Sequence, residues 1–268
     1  MAKLVTIFGG SGFVGRYIAR RMAKQGWRVR VAVRRPNEAL FVKTYGVVGQ
    51  VEPILCNIRN DASVDEALNG ADAAVNCVGI LIEEKKNTFS AIQHSGAERI
   101  GRLSKKHGIK SLVHISAIGA DENSKSIYSS TKAKGENAIV SNFPNAIILR
   151  PSIVFGQEDQ FFNRFAKMAT MAPFLPLVGA NTRFQPVFVD DVAKAAEAAL
   201  LGSVQEGTYE LGGPEIKDFR ELMIDMLRII KRRRLIINTP RFIAKLMAFG
   251  LSTLQILTLG LFKNSIIT

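Results

Sequence analysis

Residues 4–15 read LVTIFGGSGFVG: a short apolar run, then a turn with glycine at 9, 10, 12 and 15. Leu4 to Phe8 is stopped by those glycines. The next segment, Phe13 to Gln25, carries apolar Val14, Ile18 and Met22 between basic residues, so the order is strand, turn, helix. Gly9, Ser11, Gly12, Phe13, Val14 and Gly15 then form a G-x-x-G-x-x-G turn between the two elements. Glycines there permit a sharp turn and close approach of the backbone to a pyrophosphate, whose charge sits at the positive N-terminal end of the helix.

The same rhythm continues outward. Strands are expected at Trp27 to Val33, Val51 to Leu55, Ala73 to Val78, Ser111 to Ser116 and Ala146 to Leu149, with helices at Ser63 to Leu68, Asn87 to His107 and Ser126 to Ser141. Alternating strands and helices argue for an α/β fold with a doubly wound, mostly parallel sheet, because each parallel crossover needs a helix over one face. After Arg150 the prolines 151, 173, 176 and 186 break the chain into shorter pieces. This places a dinucleotide-binding domain at 1–155 and a smaller C-terminal, substrate-side lobe at 156–268. A helix from Asp190 to Leu201, with Asp190 or Asp191 as its cap, is expected to return to the main sheet. Gly207 to Leu211 reads as a strand and Phe219 to Ile230 as an amphipathic helix.

Of 268 residues, 47% are hydrophobic and 22% charged, which excludes a disordered tail and a multi-span membrane protein. Two cysteines, Cys56 and Cys77, cannot build a disulfide framework, so a reducing compartment is expected. No leader is expected either, since the first strand begins at Leu4. The net charge of +13 draws the surface to something anionic. Nucleic acid is not expected, because that reading would rest on net charge alone. Eight cations fall between Arg16 and Arg35 with no acid among them, and a second cluster runs from Arg228 to Arg234. Seventeen residues from Leu246 to Phe262 lack charge, short of the ~20 apolar residues a membrane span needs. With the nearby cations, segment 241–262 reads as a docking segment for a partner or an anionic membrane surface.

The end of the second strand selects the cofactor. An acid there would accept from a ribose 2′-hydroxyl, whereas arginine pairs with a 2′-phosphate; the residues are Arg34 and Arg35, favouring NADP(H) over NAD(H). Asn57 and Ile58 are placed to flank the adenine, and Cys77, Val78 and Gly79 to back the nicotinamide-side ribose. Tyr128 and Lys132, four apart on a helix, share a face. The ammonium is expected to lower the phenol pKa and hold the ribose, as proton transfer alongside hydride transfer requires.

His94, His107 and His114 show no ligand spacing, and no metal site is expected. Phe161, Phe162 and Phe165 line a pocket or pack the lobe, two readings the sequence leaves equal.

GGSGFVG at 9–15, Tyr128-x-x-x-Lys132, LRPSIVFG at 149–156 and FVDDVA at 188–193 resemble the short-chain dehydrogenase/reductase superfamily in its extended or atypical, epimerase-like branch. The longer strings FGGSGFVGRYIARRMAKQGWRVRVAVRRP, HISAIGAD and TRFQPVFVDDVA are similar to the nucleotide-binding accessory subunits of respiratory complex I and their bacterial relatives. The resemblance implies a Rossmann-like fold holding NADP(H), with Ser116, Tyr128, Lys132, Pro151, Ser152 and Ile153 also at the cofactor. It implies complex I subunits as partners, and a peripheral place on the inner face of the bacterial inner membrane or the matrix side of a mitochondrion. Family enzymes add a Ser or Thr just beyond the fifth strand. Ser116 lies one residue early and Ala117 takes the usual place, so the nucleotide is expected to serve structure more than turnover. The rival is an active NADPH-dependent reductase or epimerase/dehydratase using Tyr128, Lys132 and Ser116.

Overall fold

The computed structural model describes residues 2–240. The chain runs β1 (Leu4–Phe8), α1 (Phe13–Lys24), β2 (Arg28–Val33), a 3-10 segment (Pro36–Tyr45), β3 (Val51–Leu55), α2 (Asp61–Leu68) and β4 (Ala73–Asn76). A π-helical turn (Ser90–His94) leads into α3 (Ser95–Lys106), followed by β5 (Ser111–Ile115), α4 (Ile127–Asn142), β6 (Ile147–Pro151) and β7 (Val154–Phe155). Then come α5 (Phe162–Met171), β8 (Phe174–Leu177), β9 (Arg183–Phe184), β10 (Val187–Phe188), α6 (Val189–Leu200), β11 (Gly207–Leu211), β12 (Lys217–Asp218), α7 (Phe219–Ile229) and β13 (Leu235–Asn238).

Seven strands form one parallel sheet in the order β3-β2-β1-β4-β5-β6-β11, the doubly wound arrangement expected. β1 is an interior strand between β2 and β4 and is buried throughout. Val5 and Ile7 enter one apolar layer while Phe8 enters the other, which is why a central parallel strand reads as an unbroken apolar run. α1 covers the first layer with Gly15, Ile18, Ala19, Met22 and Ala23, a stripe at helical spacing. The order reverses between β1 and β4, and the crevice outside their carboxyl ends is where such sheets bind ligands.

The described chain divides into two compact units. The first holds residues up to Gly156 together with Val187–Gly212, so α6 and β11 complete the main sheet after the excursion. α6 begins at Val189, and Asp190 does not cap it, contrary to the expectation from sequence: the N-cap is Phe188, with no side-chain bond to the first turn. Asp190 instead accepts from Arg21 of α1, Nε to Oδ1 at 2.8 Å and Nη2 to Oδ2 at 2.6 Å. Arg21 also reaches Glu197 at 2.8 Å, so one guanidinium ties α1 to α6 at two points a helical turn or two apart. A fork of five donors suits this double pairing, which is what captured the aspartate.

The second unit holds Gln157–Pro186 and the chain from Gly213. Its core gathers Ala169, Leu175, Leu177, Leu222 and Met223, and Phe161, Phe162, Phe165, Phe184 and Phe219 pack edge to face around it. Of the two readings of these phenylalanines, packing is the one observed. α7 starts with a capping box between Asp218 and Glu221. The apolar segment 241–262 lies outside the described residues. No helix among those described is long and apolar enough to cross a membrane.

Candidate functional site

The glycine turn is shaped by steric demand. Gly9 has φ +74°, and its amide donates to Ala32 at the end of β2 at 2.9 Å. A Cβ on Gly9 would lie 3.2 Å from Val78 Cγ2 and 3.3 Å from the Cys77 carbonyl carbon, so the loop after β4 presses directly on the turn. A Cβ on Gly15 would lie 2.4 Å from the Gly9 carbonyl oxygen and 2.8 Å from Gly10 Cα. No side chain fits there, and α1 therefore starts flush against the turn. Its N-cap, Gly12, offers no side-chain acceptor, and no acid enters the first turn, so the positive end of the helix is not neutralised by the chain. A turn that a Cβ would obstruct, opening at an uncapped helix end, fits a pyrophosphate.

The two arginines after β2 are exposed and differ in engagement. Arg35 pairs with Glu38 at 3.0 Å, on the surface. Arg34 has no side-chain partner among the described residues, which leaves its guanidinium available to an outside anion. Between the turn and these arginines, Arg16 donates from Nη2 to the Ser11 carbonyl at 3.0 Å and lies 4.9 Å over the Phe41 ring. After β3, Asn57 Oδ1 accepts from the Arg59 amide at 3.1 Å and the Asn57 amide donates to Ser63 Oγ at 3.0 Å, fixing the loop. The Ile58 side chain is buried against α3, where a Cβ on Gly96 would meet it at 2.7 Å.

On the other side of the crevice, α4 delivers Tyr128 and Lys132. Ser126 caps the helix by accepting from the Ser129 amide. Lys132 is buried, and its Nζ donates to the Ile115 carbonyl at the end of β5 at 2.9 Å. Burial brings its pKa down to about 8, against the opposing pull of Glu136 one turn further along α4. Glu136 is itself buried and held by Arg150 of β6, with Nη2 to Oε2 at 2.6 Å and Nε to Oε1 at 3.0 Å. Tyr128 is half-buried, its ring 5.9 Å from Phe89. Its pKa is raised, by burial, and not lowered as the sequence led one to expect. The phenol loses water on burial, and that loss disfavours its charged form.

Ser116 follows β5 directly, and its Oγ is buried without a partner among the described residues. Its amide donates to Leu149 of β6 at 2.7 Å, and the next turn of the loop continues the pairing, Ile118 to the Pro151 carbonyl at 3.0 Å. Pro151, Ser152 and Ile153 thus stand beside the Ser116 loop. The Ser152 amide and the Ile153 carbonyl are used in turn by Leu211 and Val187, each at 2.9 Å. Cys77, close to Lys132, has its thiol pushed up to about 12 by burial. Gly79 leaves room nearby: a Cβ there would come within 3.9 Å of Lys132 Nζ.

Several residues at this site carry no readable signal in the sequence. Asn76 at the end of β4 is buried, donates from Nδ2 to His114 Nδ1 at 3.1 Å, and accepts from the Val78 amide at 3.0 Å. The imidazole that accepts at Nδ1 is neutral, and burial followed by the charge of Lys132 takes its pKa down to about 3. His114 Nε2 is buried without a partner among the described residues. Gln93, in the π-helical turn, donates to the Ile80 carbonyl at 3.0 Å and accepts from Thr131 at 2.8 Å, tying the loop after β4 to α4. Lone Asn, His and Gln residues have no spacing to betray them; only strand neighbours bring Asn76 and His114 together. Among the described residues, no group of three His, Cys, Asp or Glu side chains could hold a metal ion.

A glycine turn at the switch point of a parallel sheet, faced by tyrosine and lysine one helical turn apart, defines a Rossmann-like protein of the short-chain dehydrogenase/reductase type. The chain belongs to the NAD dependent epimerase/dehydratase family, whose sequence profile matches residues 5–212. It is 36% identical over 253 residues to the mitochondrial NADH dehydrogenase [ubiquinone] 1 alpha subcomplex subunit 9 of Arabidopsis thaliana, covering 91% of this chain and 62% of that protein. It is 34% identical over 241 residues to the mitochondrial NADH-ubiquinone oxidoreductase 40 kDa subunit of Neurospora crassa, covering 90% of this chain and 64% of that one. The chain therefore spans less than two thirds of the length of these relatives. Among solved structures, the enzyme WbmH of Bordetella bronchiseptica in complex with NAD+ shares the fold with a TM-score of 0.74 at 18% identity, over 89% of this chain and 86% of that one.

Proposed function

We propose that this protein holds NADP(H) in the crevice between β1 and β4 and acts as an accessory or assembly subunit of NADH:ubiquinone oxidoreductase, with the nucleotide serving mainly structure. The subunit role is supported by the 36% identity to subunit 9 of the alpha subcomplex across nine tenths of this chain. The Gly9–Gly15 turn receives the pyrophosphate, Arg34 pairs with the 2′-phosphate, and Arg35, Asn57 and Ile58 border the adenosine. Cys77, Val78, Gly79, Lys132 and the Pro151–Ile153 segment border the nicotinamide half. A bound nicotinamide would supply hydride exchange. A ligand present at ~1,000 times its dissociation constant adds about 4 kcal/mol to the stability of the form that binds it. The site is a peripheral one on the membrane's inner or matrix face, where complex I subunits are its partners.

The observation that carries the structural role is the state of Tyr128. Burial raises its pKa, Lys132 is turned to a backbone carbonyl, and Ala117 stands where family enzymes place a hydroxyl. These features work against proton release from the phenol. The reading of an active NADPH-dependent reductase or epimerase/dehydratase draws on the buried, unpartnered Ser116 Oγ and on Lys132 titrating near neutrality.

Denaturing the purified full chain and identifying the released nucleotide by mass spectrometry tests the first part; NADPH that quinones and aldehydes fail to oxidise is the expected result. Tyr128→Phe separates the roles. Complex I content should stay within about twofold of wild type. Loss of an NADPH-oxidising activity in the variant would establish the enzyme instead.

A further inference from the structure

β5 and the residues after it carry one row of side chains from the core to the crevice. The Ser116 and Ile118 amides donate to the Leu149 and Pro151 carbonyls at 2.7 and 3.0 Å, so the extended backbone continues past the strand and residues 112, 114, 116 and 118 share a face. Leu112, His114 and Ser116 on that face are buried, and Ile118 is exposed. The two polar side chains of the row each have an atom sealed from water without a partner among the described residues, His114 Nε2 and Ser116 Oγ. Buried polar atoms are rarely left so, and two on one row call for a common explanation.

The tautomer of His114 follows from its neighbour. The Val78 amide donates to Asn76 Oδ1 at 3.0 Å, which turns the Asn76 amide nitrogen to His114 Nδ1 at 3.1 Å. That nitrogen can only donate, so Nδ1 accepts and the ring's hydrogen is on Nε2. Burial and the charge of Lys132 keep a second proton off the ring. Nε2 is therefore a fixed donor, and Ser116 Oγ is the unpartnered buried acceptor two residues along the same row. Residues two apart on a strand stand ~6.6 Å apart. Two hydrogen bonds of about 2.8 Å through one water nearly fill that gap. Lys132 offers a further donor, since its Nζ gives one hydrogen to the carbonyl of Ile115, the residue between the two.

We infer that His114 is a positioning residue for Ser116: through one internal water it engages a lone pair of the Ser116 hydroxyl, which leaves the serine's own hydrogen to a carbonyl or carboxamide oxygen of the molecule held in the crevice. The water accepts from the imidazole and from a second Lys132 hydrogen and donates to Ser116, about the three bonds usual for a buried water. The identity of the last acceptor rests on the nucleotide reading above. The link from His114 to Ser116 does not.

Nuclear magnetic resonance of the full chain with isotope-labelled histidine reads the link. The chain has 3 histidines, and His114 is assigned as the ring signal missing from His114→Gln. Near neutral pH the ring is expected to be uncharged, with its hydrogen on Nε2 in contact with a long-lived water. Ser116→Ala should shift that hydrogen's resonance and weaken the water contact. A hydrogen on Nδ1, a charged ring, no water contact, or a His114 signal unmoved by Ser116→Ala each overturns the proposal.

Nucleotide titration reads the consequence. His114→Leu removes the donor and should weaken NADPH about tenfold, as Ser116→Ala does, with the double variant no worse than either alone. His114→Gln, whose terminal amide donates from near the place of Nε2, should recover most of the affinity. Independent losses that combine to about a hundredfold in the double variant overturn the coupling. An unchanged melting transition checks the fold; if His114→Leu fails to fold, the Ser116→Ala spectrum alone decides the link. If no form binds NADPH, the nucleotide reading fails while the spectra still decide this one.

Discussion

At the glycine turn the limiting quantity is space, whereas around Tyr128 and Lys132 it is solvation. Backbone atoms approach so closely at Gly9 and Gly15 that a single methyl group has nowhere to go. Around α4 the groups are shut away from water: Lys132, His114 and Ser116 are buried, His114 Nε2 and Ser116 Oγ lack partners among the described residues, and the lysine and histidine are pushed toward their neutral forms. The contrast teaches that one unit can fix a turn through backbone shape while its ionisable side chains are tuned by burial. The first property survives changes of charge. The second is sensitive to pH and to small repacking.

Three perturbations separate these properties. The largest effect is expected from Gly15→Ala, which places a methyl 2.4 Å from the Gly9 carbonyl. Overpacking of this kind costs about 1–3 kcal/mol or more, and retained nucleotide should be lost altogether. An alanine variant that keeps its nucleotide would break the claim that space is limiting there.

Next comes pH. Lys132 has its folded pKa lowered from 10.5 to about 8, so between those values the unfolded chain binds more protons and stability rises with pH. Relative to Lys132→Met, wild type should gain up to about 3 kcal/mol between pH 8 and 10.5, with no change in the difference below 8. Parallel unfolding curves at all pH values would show that solvation of this lysine does not matter. His114 works in the acid range: its folded pKa near 3 lies below the unfolded 6.5, so stability present above 6.5 is lost as pH falls toward 3. His114→Gln should flatten that part of the profile.

The smallest effect is one of specificity. Arg34→Asp should weaken NADPH by at least about tenfold while leaving NADH nearly unchanged, since only the former carries the phosphate that a charged hydrogen bond holds. Equal losses for the two nucleotides, read by titration calorimetry, would remove Arg34 from the 2′-phosphate site.

Much of the fold is legible in the chain because its elements carry their own periods. LVTIF reads as a buried strand, α1 shows its stripe at Ile18, Ala19 and Met22, and the helix with Tyr128 and Lys132 lies within one residue of its expected bounds. The candidate site is half legible. Glycines and the Tyr-x-x-x-Lys spacing are local signals. Gln93, Asn76 and His114 meet through a π-helical turn and through strand pairing, which no short window of sequence contains. Two expectations failed because distant segments intervened. Asp190 was free to cap α6 until α1 brought Arg21 within 2.6 Å, and Tyr128 was expected to have its pKa lowered until burial of the phenol raised it.

By itself, then, the sequence determined the alternation of strands and helices, the glycine turn, the cation pair after β2 and the shared face of Tyr128 and Lys132. All of these are set by neighbours within a few residues. Tertiary structure decided which arginines remain available, which polar atoms are sealed from water, and how far each ionisable group moves. Those quantities depend on distance in space and on desolvation, and both arise only when segments such as α1 and α6, 169 residues apart at the Arg21–Asp190 contact, are packed together.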